Sequence, residues 1–88
     1  MRNGLKILWS KKAVKDMMFW QHNYPKTKSR IDMLIEDITN TPLIGLGKPE
    51  PLKHELSGFW SRRIDKEHRL IYKVNDSVLF VVSCKDHY

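Results

Sequence analysis

The spacing of apolar and polar residues changes period along the chain. Leu5 to Trp9 is a short, mostly apolar run that fits one strand. Ser10 then offers a helix N-cap. Ala13, Val14, Met17, Met18 and Trp20 recur at helical spacing, while Lys11, Lys12, Lys15 and Asp16 fall elsewhere. Tyr24-Pro25 interrupts this helix, and Pro25 suits the first turn of the next one. There Ile31, Leu34, Ile35 and Ile38 form a clean helical stripe, which Asn40-Thr41-Pro42 ends. The two helices predict a hairpin able to cover one face of a sheet.

From Pro42 to Gly58 three prolines and three glycines fall within 17 residues. Irregular stretches of this length are usually functional or mobile. A short strand near Leu52 fits within it. Beyond Gly58 the period becomes two, and Phe59 to Ile64, His68 to Val74 and Val78 to Cys84 read as three strands. Asp65-Lys66-Glu67 and Asn75-Asp76 supply the turns of an antiparallel meander. Alternation puts Leu70, Tyr72 and Val74 on one face, with Arg69, Ile71 and Lys73 on the other. In the last strand it assigns Val78, Phe80, Val82 and Cys84 to the core. Leu79, Val81, Ser83, Lys85 and, with continued extension, His87 then fall on the opposite face, the side of Arg69. The predicted fold is α+β: an N-terminal strand, a two-helix hairpin, then an antiparallel sheet of three to four strands.

Eighty-eight residues make one domain, 1–88, the expected organisation, with a thin core that a second copy could support. The 41% hydrophobic and 30% charged composition is that of a globular chain. No apolar run approaches the roughly 20 residues of a membrane helix, and a lone cysteine, Cys84, rules out a disulfide scaffold. With no signal-peptide pattern at the start, a cytoplasmic location is expected. Sixteen basic against ten acidic side chains give +6, a balance that suits an acidic partner such as nucleic acid.

No nucleophile elbow, phosphate-binding glycine loop or zinc-finger spacing is present, so neither a metal nor another cofactor is implied. His22, His54, His68 and His87 are too scattered to form a metal motif. Cys84 reads as a core residue. The remaining polar set suits acid–base cleavage of a phosphodiester. RNA breaks when a base takes the 2′-hydroxyl proton and an acid protonates the leaving 5′-oxygen, with a cation stabilising the transition state. Glu50 is the candidate base and His87 the candidate acid. Arg69, Arg63, Lys48, Lys53 and Arg62 are candidate cations. Each also has a plainer reading. Glu50 fits a solvated loop carboxylate. Arg62-Arg63 fits an exposed edge that discourages strand aggregation. His87 fits a frayed terminus. On pattern alone a nuclease does not rank above a generic binding module.

The run Gly47-Lys48-Pro49-Glu50-Pro51-Leu52-Lys53-His54-Glu55-Leu56-Ser57-Gly58-Phe59-Trp60-Ser61-Arg62-Arg63-Ile64 closely resembles the YoeB/Txe toxins of the RelE superfamily. The likeness continues through Glu67-His68-Arg69-Leu70-Ile71-Tyr72 to His87-Tyr88, and Ile7-Leu8-Trp9-Ser10 and Phe19-Trp20-Gln21 fit the family's start. The resemblance implies a ribosome-dependent endoribonuclease toxin that cuts mRNA in the ribosomal A site. It implies catalytic roles for Glu50, Arg69 and His87. It further implies phosphate contact or positioning by Lys53, His54 and Arg63, and contact near the scissile site by Tyr88. Expected partners are a YefM-like cognate antitoxin, the 70S ribosome with its mRNA, and a second copy of the chain in a homodimer. Operator DNA is expected only through the antitoxin complex, and no membrane is implied. The alternative is a non-catalytic RNA- or ribosome-binding module, or an antitoxin-dependent co-repressor. Asp86 departs from the usual family pattern, and a carboxylate beside His87 is expected to favour its imidazolium form. Tyr88 could stack on a base or sugar, or simply close the core.

Overall fold

Ser10 sets the first boundary. Its hydroxyl accepts the Ala13 N–H at 2.9 Å and so caps the first helix, while donating to the Val82 carbonyl across the molecule. A computed structural model describes residues 5–86. The elements are β1 (Lys6–Trp9), α1 (Lys11–Asn23), α2 (Pro25–Asn40), β2 (Glu50–Pro51), β3 (Trp60–Arg63), β4 (Arg69–Asn75) and β5 (Val78–Ser83), with a 3₁₀ turn at His54–Leu56. The strands form one sheet in the order β1-β5-β4-β3-β2. β1 runs parallel to β5 and the other pairs are antiparallel. The expected α+β plan holds, and the two-residue β2 is the first of the four strands that follow the helices.

The helical hairpin packs on one face of the sheet. Ala13 and Trp20 from α1, and Ile31, Leu34, Ile35 and Ile38 from α2, meet Leu70, Tyr72, Leu79, Val81 and Cys84. Each fully buried large apolar side chain contributes about 1.5–3 kcal/mol. The α1 stripe is narrower than its sequence suggests. Val14 and Met18 are exposed, and Asp16 is buried in their place. Its carboxylate accepts the Cys84 N–H at 2.9 Å and pairs with Lys12, so a chain end that would otherwise leave a buried donor unpaired is satisfied.

The face assignment in β5 is the reverse of the expected one. Leu79 and Val81 are fully buried in the core, whereas Phe80 is exposed. Tyr72 pairs with Val81 but Ile71 pairs with Ser83, leaving Val82 as an extra residue. This bulge flips the alternation between Val81 and Ser83. Cys84 therefore still reaches the core, as expected, but shares it with Leu79 and Val81.

Arg62 is also placed differently from its reading as an edge or phosphate-binding cation. It is 0% exposed. Nη1 donates to Asp37 Oδ2 at 2.6 Å and the Leu46 carbonyl at 3.1 Å. Nη2 donates to the Thr41 and Ile44 carbonyls at 2.6 and 2.9 Å, and Nε to Tyr72 Oη at 3.2 Å. All of its guanidinium donors are thereby used. The phenol of Tyr72 passes the network on to the Pro42 carbonyl at 2.7 Å. The irregular segment after α2 is thus wrapped around one buried cation.

Gly45 makes the wrap possible: a Cβ there would meet Asp37 Oδ2 at 2.1 Å, and its φ is 122°. The Gly47 carbonyl then accepts the Arg63 N–H at 2.6 Å. That bond lays the chain alongside β3 just before Glu50.

Candidate active site

Glu50 and Arg69 lie on different strands and are joined through β3. Glu50 pairs in register with Ser61, Ser61 with Ile71, and Arg63 with Arg69. Alternation places Ser61, Arg63 and Arg69 together on the face away from the helices. Arg69 Nη1 donates to Glu50 Oε1 at 2.9 Å and to Ser61 Oγ at 3.2 Å. The Glu50 side chain is 58% exposed and that of Arg69 26%, so solvent and a polyanion can both reach the pair. Nε and Nη2 of Arg69 make no hydrogen bond among the described residues, which leaves donors for a phosphate oxygen. Ser61 was not among the residues singled out in the sequence, although its place two residues before Arg63 on a strand was a usable signal.

The basic candidates divide. Arg63 is exposed on β3 beside Arg69, and its carbonyl is held by Arg30 Nη2 at 3.2 Å. Lys48 follows Gly47 through a left-handed residue with φ 52° and is exposed. Lys53 and His54 sit at the 3₁₀ turn after β2, both exposed, with His54 at φ 60°. Among the described residues the ion-pair partner of Glu50 is Arg69, not one of these. His87 and Tyr88 lie outside the described residues.

Asp86 is brought to Arg69 by the main chain. Its carbonyl accepts the Arg69 N–H at 2.9 Å, and its N–H donates to His68 Nδ1 at 2.7 Å. Its carboxylate faces the ammonium groups of Lys85 and Lys12 at 3.8 and 3.9 Å. Cys84 is unsuited to nucleophilic work. Burial, reinforced by the Asp16 carboxylate and opposed by Lys12, pushes its thiol up to about 12. Among the described residues no three His, Cys, Asp or Glu side chains cluster as a metal site, and no helix is long and apolar enough to cross a membrane.

A helical hairpin covers one face of a five-stranded sheet and a reachable glutamate–arginine pair lies on the other: the small α+β fold of the toxins that the sequence motifs resemble. The model of the YoeB-like toxin of the bacterial type II toxin-antitoxin system matches residues 9–88. Toxin YoeB of Escherichia coli K12 is 49% identical over 84 residues, which covers 96% of this chain and 100% of that protein. Two solved structures from Staphylococcus aureus agree. A YoeB dimer superposes with a TM-score of 0.91 at 42% identity, covering 98% of this chain and 100% of that one. A heterotetrameric YoeB-YefM toxin-antitoxin complex gives 0.89 at 42% identity, with the same coverage. The chain belongs to the YoeB-like toxin family.

Proposed function

We propose that this toxin is a ribosome-dependent endoribonuclease that cleaves mRNA in the ribosomal A site and so stops translation. The observation that carries this reading is the Glu50–Arg69 contact of 2.9 Å on a sheet face that no described helix covers. Glu50 takes the proton from the 2′-hydroxyl of the nucleotide before the cut. The freed oxygen attacks phosphorus and forms a 2′,3′-cyclic phosphate. Arg69, whose Nε and Nη2 make no hydrogen bond among the described residues, stabilises the charge that builds on the phosphate oxygens. His87 gives its proton to the departing 5′-oxygen, which leaves as a hydroxyl. Lys48, Lys53, His54 and Arg63 contribute phosphate contacts, and Tyr88 a contact near the scissile site. The reaction as written moves protons between side chains and RNA and calls on no cofactor.

The family relationship supports neutralisation by a YefM-like antitoxin and pairing with a second copy, as in the two S. aureus structures. Any contact with operator DNA then runs through the antitoxin. One domain spanning 1–88 and a cytoplasmic site of action, where ribosomes are, complete the reading. Cleavage of a defined mRNA on programmed ribosomes tests it, with His87→Ala alongside and a control without ribosomes. An A-site cut that needs the ribosome and is lost in the variant is expected. Intact mRNA with folded, ribosome-bound toxin would favour a non-catalytic binding module.

A further inference from the structure

His68 has no part in the chemistry just described, yet it joins the catalytic strand to the chain end. It immediately precedes β4 and Arg69. Its carbonyl accepts the Ile64 N–H at 2.9 Å, and its own N–H donates to Asp65 Oδ1 at 2.7 Å, which closes the turn between β3 and β4. The half-buried ring meets Trp20 edge-on, with centroids 4.9 Å apart and planes at 82°. Backbone and ring are therefore both held. In that setting Nδ1 accepts the Asp86 N–H at 2.7 Å, so the neutral ring carries its proton on Nε2.

The two main-chain groups of Asp86 are bonded to consecutive residues, N–H to His68 and carbonyl to Arg69. Strand pairing does not account for this, since the β4–β5 register ends at Ile71↔Ser83. Asp86 also stands at φ 71°, a left-handed conformation that surrounding contacts must hold.

We propose that His68 is a positioning residue: its Nδ1 fixes the backbone at Asp86, beside Arg69 and one residue before the general acid of the nuclease reading. The inference rests on the nuclease reading, in which His87 is the general acid. Small displacements of a reacting group can cost about 10²-fold in rate. The side-chain chemistry makes the idea separable from packing. Asn carries an acceptor oxygen as many bonds from Cα as Nδ1 is, whereas Leu has the same branch without an acceptor.

The test uses the full chain, labelled with ¹⁵N, as wild type, His68→Asn and His68→Leu. A coupling across the hydrogen bond between the Asp86 amide nitrogen and His68 Nδ1 is expected in the wild type. Amide exchange at Asp86 should quicken about tenfold in His68→Leu, as for the loss of one hydrogen bond, and stay near wild type in His68→Asn. On ribosomes, kcat should fall about tenfold or more in His68→Leu with KM unchanged, and recover in His68→Asn. Equal exchange, or equal kcat, in the Asn and Leu variants would overturn the proposal. A wild type that cuts no RNA removes the nuclease reading; the Asp86 exchange rates then still decide whether His68 holds the chain end.

Discussion

Arg69 holds Glu50 from two strands away, Nη1 to Oε1 at 2.9 Å, and the same nitrogen reaches Ser61 Oγ at 3.2 Å. Both side chains are partly exposed, so the pair contributes little to folding, typically about 0.2–1 kcal/mol. In the proposed role of transition-state stabiliser, Arg69 would be worth about 10²–10³-fold in rate. Arg69→Ala should therefore remain within about 1 kcal/mol of wild-type stability in urea titrations while losing at least about 10²-fold in cleavage. Loss of stability and activity in step would mark the contact as structural only.

Arg62 and Asp37 behave in the opposite way. The Leu46 N–H and the Arg62 guanidinium hold the Asp37 carboxyl below its usual range, against a smaller opposing effect of burial. A carboxyl depressed in the folded state contributes stability above its unfolded value of about 3.9, and that stability is lost as pH falls through the folded value. Arg62 is fully buried and Asp37 half-buried, and removing the partner of a buried charge costs about 3–5 kcal/mol. Asp37→Asn should lower stability by about 3 kcal/mol at neutral pH and flatten the acid limb of the stability curve below about pH 4. Denaturant midpoints measured between pH 2 and 7, on the order of the range where carboxyls titrate, check this.

Cys84 should be inert while the chain is folded. With its thiol pushed up to about 12, almost no thiolate is present near neutrality. A group whose folded value is raised contributes stability below its unfolded value, here about 8.5, and loses it progressively as pH climbs towards the folded value. Iodoacetamide labelling at about pH 8 should proceed only at the rate of unfolding. Rapid labelling of native protein would contradict the burial of Cys84.

Lys53 and Arg63 should act through charge more than chemistry. For single-stranded nucleic acid, each phosphate contact contributes about 0.7 to the slope of log affinity against log salt. Lys53→Ala should weaken ribosome–mRNA complex formation and make that slope shallower by about this amount, with the single-turnover cleavage rate changed little. An unchanged slope would remove Lys53 from the phosphate contacts.

Local signals in the sequence were sufficient for most of the elements. Ser10, Pro25 and the stripe of Ile31, Leu34, Ile35 and Ile38 act within one or two helical turns, and the structure realises them. Long-range pairing was less readable. Asp16 was read as lying outside the apolar stripe, because its partner, the Cys84 amide, is 68 positions away. Arg62 looked like a surface cation because the carbonyls that surround it come from an irregular loop without a periodic signature. In β5 one extra residue, Val82, reversed a face assignment that strict alternation had fixed wrongly. Glu50 and Arg69 were candidates on side-chain chemistry, and motif resemblance singled them out. Their contact depends on β3 standing between them in register, which no spacing within either segment encodes.

The single-turnover rate of A-site cleavage on programmed ribosomes, with product ends mapped, addresses the Glu50–Arg69 centre most directly. Wild type should leave a 2′,3′-cyclic phosphate. Glu50→Gln should lose about 10²–10⁴-fold and Arg69→Ala at least about 10²-fold, with both variants folded and ribosome-bound. Cleavage at wild-type rate in either variant would contradict the assignment of that pair as the chemical centre of this toxin.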